Sequence, residues 1–266
     1  MPKGLRGRSS EVGIAAARSL GDRRARPNLV WLHALTGAPE RRWRAILRET
    51  SQFADIDREI RDRHLAAGRR NYAQFRAPLE LYSLVRWLAP DHVVETGVSS
   101  GVSSAHLLLA LRRNGHGLLH SIDRPTPQRS HRLGADESPV ALPPGREVGW
   151  AVPEAIRTGW DLRLGPSEEI LPRLARQLPS IGLFLHDSRH TARHLTFELE
   201  TVRPRLLPHS IVLADNTVWT GSAFPQFARR LGARVVRRGH SDLVGLSVPS
   251  DVAPSRSRVG VRSRAA

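Results

Sequence analysis

The stretch HVVETGVSSGVSSAHLLLALRRNG, residues 92–115, decides the predicted fold. It begins with a short run of β-forming residues and ends with an apolar run of helical character that Gly115 closes. Between the two runs stand Gly97 and Gly101, which allow the backbone to come close to a ligand. The stretch predicts a strand, a glycine turn and a helix; a turn that only connects the two elements is the alternative.

The glycine turn lacks the spacing of the nucleotide-phosphate loops. The dinucleotide fingerprint needs a glycine where this chain has Ser99. No lysine follows Gly101, as a P-loop would require. Both differences argue against a site for nucleotide phosphates.

Strands and helices alternate outward from this unit. Further β-rich runs are LLHSID (118–123), DLRLG (161–165), IGLFLHD (181–187) and SIVLAD (210–215), and helical runs cover 167–178, 191–206 and 222–232. Two last runs, ARVVRR and DLVGLSV, predict a closing hairpin. This alternation predicts an α/β layer fold with a mostly parallel sheet.

Four regions are expected along the chain. Residues 1–28 form a flexible basic arm, 29–77 an N-terminal helical cap, 78–249 the α/β domain and 250–266 a disordered basic tail. The Pro- and Gly-rich loop 124–150 of the α/β domain is expected, together with the cap, to cover a ligand site and select the substrate.

Composition limits the possible classes of protein. The chain has no cysteine, which excludes disulfides, thiolate zinc sites and a thiol nucleophile. The formal net charge is +16, and Lys3 is the only lysine. Half of the charge excess lies in the two terminal segments, at net +5 and +3, so a solvated basic surface is favoured over nucleic-acid binding through the termini.

The chain has no apolar run of membrane-spanning length and no secretory signal, which predicts a cytoplasmic protein. The Arg-rich, acid-poor N-terminus also fits a transit peptide.

Polar clusters follow each predicted strand. In parallel α/β sheets the ligand binds outside the carboxyl ends of the strands, so these clusters are expected to share one rim. Asp123 closes the second strand, where an acidic residue can accept both hydroxyl groups of a ribose. A surface aspartate is the alternative, but with the glycine turn before it the position favours an adenosine-containing ligand.

The segments VVETGVSSGVSS, SID, LGPSEEILP, LFLHDSRHT and IVLADN resemble the successive motifs of class I S-adenosylmethionine-dependent methyltransferases. The resemblance is strongest to catechol O-methyltransferase-like, metal-dependent enzymes and to bacterial small-molecule and sugar O-methyltransferases, and it covers about residues 78–248. It implies a Rossmann-like, seven-stranded, mostly parallel sheet with helices on both faces and a C-terminal antiparallel hairpin.

The resemblance also implies a set of cofactor-binding residues. Those near the methionine part, the ribose and the adenine of S-adenosylmethionine would be Glu95, Gly97, Ser99, Gly101, Ser103, Asp123, Ser167 and Glu168. Of these, Ser99 and Ser103 would lie near the carboxylate of the cofactor, Asp123 at the ribose, and Ser167 and Glu168 at the adenine.

Asp187, Asp215 and Asn216 resemble the three protein ligands of a divalent metal in this family. Two carboxylates and an amide oxygen form a hard-oxygen set that suits Mg²⁺, or Mn²⁺ or Ca²⁺. Such a metal would bind an acceptor hydroxyl, lower its pKa and favour attack on the methyl group. An Asx-capped turn is the alternative for the ADN segment.

The chain departs from the catechol-type pattern at the base. His190 stands three residues after Asp187, where those enzymes have a lysine. Histidine can act as a general base, and a histidine without a catalytic role is the alternative. A zinc site of His186, His190 and His194 is disfavoured because His186 belongs to a strand end, so His186 and His194 are expected to be structural.

The predicted function is S-adenosylmethionine-dependent, metal-assisted O-methylation of a small hydroxylated acceptor. The alternatives are a metal-independent N-methyltransferase, a non-catalytic cofactor-binding protein and an RNA-binding relative. A homo-oligomer is compatible with the family resemblance, and the sequence does not identify the acceptor.

Overall fold

The structure is a computed structural model that describes residues 27–67, 75–125, 142–143, 145–239 and 241–251. Most of the predicted arm, most of the predicted tail and most of the loop 124–150 lie outside these residues. In the part of the chain that is described, no helix combines the length and the apolar character needed to cross a membrane.

Seven strands form one sheet: β1 His92–Thr96, β2 Leu118–Asp123, β3 Trp160–Leu164, β4 Ile181–His186, β5 Leu206–Ala214, β6 Val236–Arg237 and β7 Val244–Ser247. Their order across the sheet is β3-β2-β1-β4-β5-β7-β6. The pairs among β1 to β5 are parallel, whereas β7 is antiparallel to both β5 and β6. The predicted seven-stranded sheet with a closing antiparallel hairpin is confirmed.

Helices cover both faces of the sheet. They are α1 Leu29–Thr36, α2 Glu40–Arg48, α3 Ala54–Ala66, α4 Pro78–Leu88, α5 Val102–Asn114, α6 Ser167–Gln177, α7 Ala192–Val202 and α8 Ala223–Arg230. Successive strand residues point to opposite faces, so Val93 packs in the cluster with α4 and α5 while Val94 packs with α6, α7 and α8. Each face of the sheet therefore has its own buried core.

The N-terminal helices pack on the α4–α5 face. The Trp31 indole N–H of α1 donates to the Val236 carbonyl of β6 at 3.0 Å. Asp57 of α3 lies 3.3 Å from the His106 ring of α5. These helices share one hydrophobic cluster with the sheet. The predicted division into a cap over 29–77 and an α/β domain is not tested by these contacts and stays a prediction.

The helix predicted over 191–206 is shorter in the structure. It ends at Val202, and a short 3₁₀ turn, Arg203–Arg205, leads directly into β5. Pro204 lacks the N–H that a continuing helix would use. As a result β5 starts at Leu206, four residues before the predicted start at 210.

Candidate active site

The carboxyl ends of the parallel strands meet at one rim of the sheet. Thr96 at the end of β1 is in register with Ile122 of β2 and with His186 of β4, and His186 is in register with Ala214 of β5. The residue or two that follow each strand therefore lie side by side, as expected for the ligand-binding edge of such a sheet. Gly97, Asp123, Asp187 and Asp215 all occupy this rim.

Asp123 anchors the glycine turn. The backbone N–H groups of Val98 and Ser99 donate to its Oδ2 at 2.7 and 2.8 Å. Ser99 has φ 49°, a left-handed conformation that is uncommon outside glycine. Burial raises the pKa of Asp123, although both N–H groups act to lower it. The turn and the predicted ribose-binding carboxylate are thus one hydrogen-bonded unit.

Both glycines of the turn are required by close packing. A Cβ on Gly97 would lie 2.0 Å from the backbone oxygen of Asp187, and Gly97 has φ +86°. A Cβ on Gly101 would lie 2.5 Å from Cγ2 of Val152. Gly97 thereby brings the end of β1 against the end of β4, which a side chain would prevent.

The segment 149–152 lies along the glycine turn, a contact that the sequence did not predict. The N–H of Gly149 donates to the Ser99 carbonyl at 2.8 Å, and the N–H of Ala151 donates to the Ser100 carbonyl at 2.9 Å. Arg63 of α3 donates to the Trp150 carbonyl at 3.1 Å. The turn is therefore supported from the cap side by protein backbone. The sequence offered one signal, the glycine at position 149. In the structure Gly149 has φ +73° and lies against the Trp160 ring.

Glu95 lies in the interior beneath the turn. Its Oε2 accepts hydrogen bonds from the hydroxyls of Ser104 at 2.6 Å and Ser121 at 2.8 Å, and the Ser103 hydroxyl also bonds to this carboxyl. Its Oε1 is buried without a hydrogen-bond partner among the described residues. Burial raises the pKa of Glu95 to about 7, against an ordinary value of 4.5, although the three serines act to lower it.

This raised pKa predicts a specific pH dependence of stability. Because the native state holds the Glu95 proton more tightly than the unfolded state, the contribution of Glu95 to stability is fully present below pH 4.5 and is lost as the pH rises to about 7. The Glu95→Gln variant lacks this titration. We expect the difference in unfolding free energy between wild type and Glu95→Gln to shift by about 3 kcal/mol across this window, in favour of the variant at high pH. Urea denaturation of both proteins at several pH values measures this shift. A difference that stays constant with pH would contradict the assignment.

Ser167 and Glu168, which were predicted to lie near the adenine, begin α6. The Ser167 hydroxyl donates to Glu198 Oε1 at 2.6 Å, and Glu168 Oε1 lies 3.3 Å from Nδ1 of His194. Both side chains thus join α6 to α7.

The structure brings together the predicted base and the predicted metal ligands. Nε2 of His190 lies 3.5 Å from Oδ1 of Asp187 and 3.3 Å from Nδ2 of Asn216. Asn216 adopts φ 52°, a left-handed conformation that asparagine tolerates, directly after Asp215 at the end of β5. The structure therefore places these four residues near one another at the ends of β4 and β5.

The carboxyl groups of this cluster have the electrostatics of a cation site. Burial raises the pKa of Asp187 to about 6, and the charge of Asp215 adds to this, while the hydrogen bond with His190 opposes it. Burial likewise raises the pKa of Asp215. Two desolvated carboxyl groups that repel each other, together with the amide group of the neighbouring Asn216, are a donor set that fits a hard divalent cation. Within the described ranges, no three histidine or acidic side chains by themselves form a metal-binding group.

His186 and His194 do not form a zinc site with His190. Nδ1 of His186 donates to Glu198 Oε2 at 2.7 Å, and Nε2 of His194 lies 2.9 Å from Glu198 Oε1. Both rings are committed to a buried carboxylate on the α7 face, which is the structural role predicted for them.

Comparison with known proteins finds a methyltransferase domain in part of the chain. Residues 94–217 match a family model described as a methyltransferase domain. No curated protein matches the chain significantly.

Two solved structures support the fold. A Klebsiella pneumoniae protein provisionally described as an O-methyltransferase is 19% identical, with a TM-score of 0.51 over 73% of this chain and 89% of that chain. An O-methyltransferase from Bacillus cereus, solved with S-adenosylhomocysteine, is 11% identical, with a TM-score of 0.50 over 73% of this chain and 90% of that chain. Residues 94–217, the part of the chain that matches the methyltransferase-domain model, contain the glycine turn, Asp123 and the cluster around Asp187.

Proposed function

We propose that the protein transfers the methyl group of S-adenosylmethionine to a hydroxyl oxygen of a small-molecule acceptor, assisted by a divalent metal such as Mg²⁺. The observation that carries this proposal is the convergence of Asp187, His190, Asp215 and Asn216 at the strand ends beside the glycine turn. This cluster offers both hard oxygen ligands and a general base, at strand ends next to the glycine turn.

The cofactor would bind across the ends of β1 and β2. Asp123 would accept the ribose hydroxyls, Gly97, Ser99 and Gly101 would line the methionine part, and Ser167 and Glu168 would border the adenine. Oε1 of Glu95 has no hydrogen-bond partner among the described residues, so it offers a buried acceptor beneath the turn that suits a cationic or hydrogen-bond-donating group, with Ser103 beside it. When bound, S-adenosylmethionine supplies an electrophilic methyl group on a positively charged sulfur.

Asp187, Asp215 and Asn216 would hold the metal. A bound divalent cation lowers the pKa of a coordinated hydroxyl and orients it. The residues of the chain would then do the proton work: Nε2 of His190 removes the hydroxyl proton, and Asp187, 3.5 Å away, stabilises the charge that the ring gains. The remaining task of the site is alignment of the oxygen with the methyl group.

The residues after Asn216 suggest the character of the acceptor. Trp219 is 65% exposed and Val218 is 62% exposed, in the 3₁₀ turn Thr217–Thr220. The backbone N–H of Trp219 donates to the Asn216 carbonyl at 3.1 Å, which ties this turn to the cluster. Large apolar side chains exposed next to a polar site commonly mark a ligand surface. We therefore infer an acceptor with an apolar face next to its hydroxyl group.

A second candidate is metal-independent transfer to an amine. His190 lies between Asp187 and Asn216 and contacts both, so an imidazole occupies part of the proposed ligand set. In that case Asp215 and Asn216 would contact the amine directly. Cytoplasmic location, a homo-oligomer and contacts of the basic termini with nucleic acid stay predictions.

Metal dependence separates the two candidates. Methyl transfer from labelled S-adenosylmethionine to panels of hydroxylated and amine acceptors is measured with EDTA and again after Mg²⁺ is added back. We expect EDTA to lower the rate on a hydroxylated acceptor by about 10²-fold and Mg²⁺ to restore it, while affinity for S-adenosylhomocysteine stays constant as the control. Full activity on an amine in EDTA would favour the second candidate and contradict the metal-assisted one.

A further inference from the structure

A single buried carboxylate, that of Glu198 in α7, accepts hydrogen bonds from five side chains. Glu198 is fully buried. Its Oε2 accepts from Thr96 Oγ1 and from Nδ1 of His186, each at 2.7 Å. Its Oε1 accepts from Ser167 Oγ at 2.6 Å, Nε2 of His194 at 2.9 Å and Ser188 Oγ at 3.1 Å.

Every one of these five groups is a donor, so the site is built for an anion. A carboxylate offers about four lone-pair positions on two oxygens, and no uncharged side chain could accept from both sides. Burial acts to raise the pKa of Glu198, but the charge and hydrogen bond of His186 and the hydrogen bond of His194 outweigh it and hold that pKa well below its ordinary value. Glu198 therefore remains charged in the interior.

The five donors come from separate parts of the active-site rim. Thr96 ends β1, His186 ends β4, and Ser188 lies in the loop after β4. Ser167 begins α6, and His194 lies in the first turn of α7. One carboxylate thus joins the end of the strand that carries the glycine turn to the loop that carries Asp187 and to the predicted adenine side.

Asp187 lies between two of these anchors. The residue before it, His186, and the residue after it, Ser188, are both bonded to Glu198. The N–H of Asp187 donates to the Thr96 carbonyl at 2.8 Å, and the Thr96 hydroxyl is bonded to the same carboxylate. Glu198 therefore fixes the backbone of Asp187 indirectly, through its hydrogen bonds to His186, Ser188 and Thr96.

We propose that Glu198 is a positioning residue for methyl transfer, which fixes Asp187 and, through it, His190 relative to the glycine turn. The catalytic consequence rests on the proposed function, whereas the fixing of Asp187 does not. Glu198 acts through hydrogen bonds to the loop and has no role as a base or ligand.

The test compares Glu198→Gln with Glu200→Gln. The first substitution would turn an amide NH₂ group toward the donors that now face a carboxylate oxygen. Glu200 lies on the same helix, and its ion pairs among the described residues, with Arg203 and Arg230, lie at the surface. Ser188→Ala is the second variant, which removes one donor next to Asp187 and decides the question if Glu198→Gln does not fold. Hydrogen–deuterium exchange of peptides over residues 187–191 and over β5 is measured for each protein, together with kcat and KM.

We expect exchange over residues 187–191 to rise by about tenfold in Glu198→Gln and by about threefold in Ser188→Ala, with β5 unchanged. The kcat at saturating substrates should fall by about tenfold in Glu198→Gln, while KM for the cofactor changes by less than about threefold. Glu200→Gln should match wild type in both measurements.

Exchange over 187–191 equal to that of wild type in a folded variant would overturn the proposal. So would a uniform rise in exchange across β5 with kcat unchanged, because a purely stabilising residue would produce that result. If the wild-type protein transfers no methyl group, the proposed function fails, and the exchange at 187–191 still decides whether Glu198 positions Asp187.

Discussion

Replacing Asp187 with asparagine is expected to lower kcat/KM for methyl transfer by about 10³-fold while S-adenosylhomocysteine still binds. The substitution keeps the size of the side chain, so the backbone contact with Gly97 and the hydrogen bond of the Asp187 N–H to Thr96 are retained. It removes the negative charge that a metal would use and that faces His190 at 3.5 Å. Methyl transfer is therefore expected to be lost while the glycine turn is retained.

The matched control is Asp91→Asn, an exposed aspartate just before β1 at the opposite end of the sheet. It removes the same charge from the protein and should leave kcat/KM unchanged. Steady-state kinetics and calorimetric binding of S-adenosylhomocysteine measure both effects. Near wild-type activity in Asp187→Asn would remove Asp187 from the mechanism, metal-assisted or not.

Replacing Gly97 with alanine is expected to destabilise the protein by about 3–5 kcal/mol. The added Cβ would lie 2.0 Å from the carbonyl oxygen and 2.4 Å from the carbonyl carbon of Asp187, and backbone atoms cannot move aside as a flexible side chain can. The left-handed φ of +86° adds a conformational cost. Relief of the clash would push β4 away from β1 and disturb the rim.

Gly37→Ala isolates the conformational part of that effect. Gly37 has a similar φ of +75°, but nothing lies within 4 Å of the position its Cβ would take. Its expected cost is about 1 kcal/mol. Urea denaturation of both variants gives the comparison. Equal losses of stability would show that the clash with the Asp187 backbone adds no cost to the substitution of Gly97.

The fold and the rim could be predicted because their signals are local. Short β-rich runs alternate with helical runs, and parallel strands must bring their carboxyl ends to the same edge. That rule alone places Gly97, Asp123, Asp187 and Asp215 together, as the register of the strands confirms. The start of β5 was missed because only the three residues of the turn Arg203–Arg205 separate it from α7.

The support behind the rim could not be predicted in this way, because it depends on contacts between distant residues. Thr96 and Glu198 are 102 positions apart, and Gly149 meets Ser99 only through backbone atoms. One signal was present: Glu198 lies three residues after Leu195 and four before Val202, on the buried face of α7. A charged residue in such a stripe needs buried partners.

Calorimetric titration of the purified protein with S-adenosylhomocysteine, with and without Mg²⁺, tests the central claim most directly. The cofactor site that we propose at the glycine turn and Asp123 predicts binding with a dissociation constant in the micromolar range, about −8 kcal/mol, in both conditions. Absence of binding in both conditions would contradict the claim that this rim holds S-adenosylmethionine.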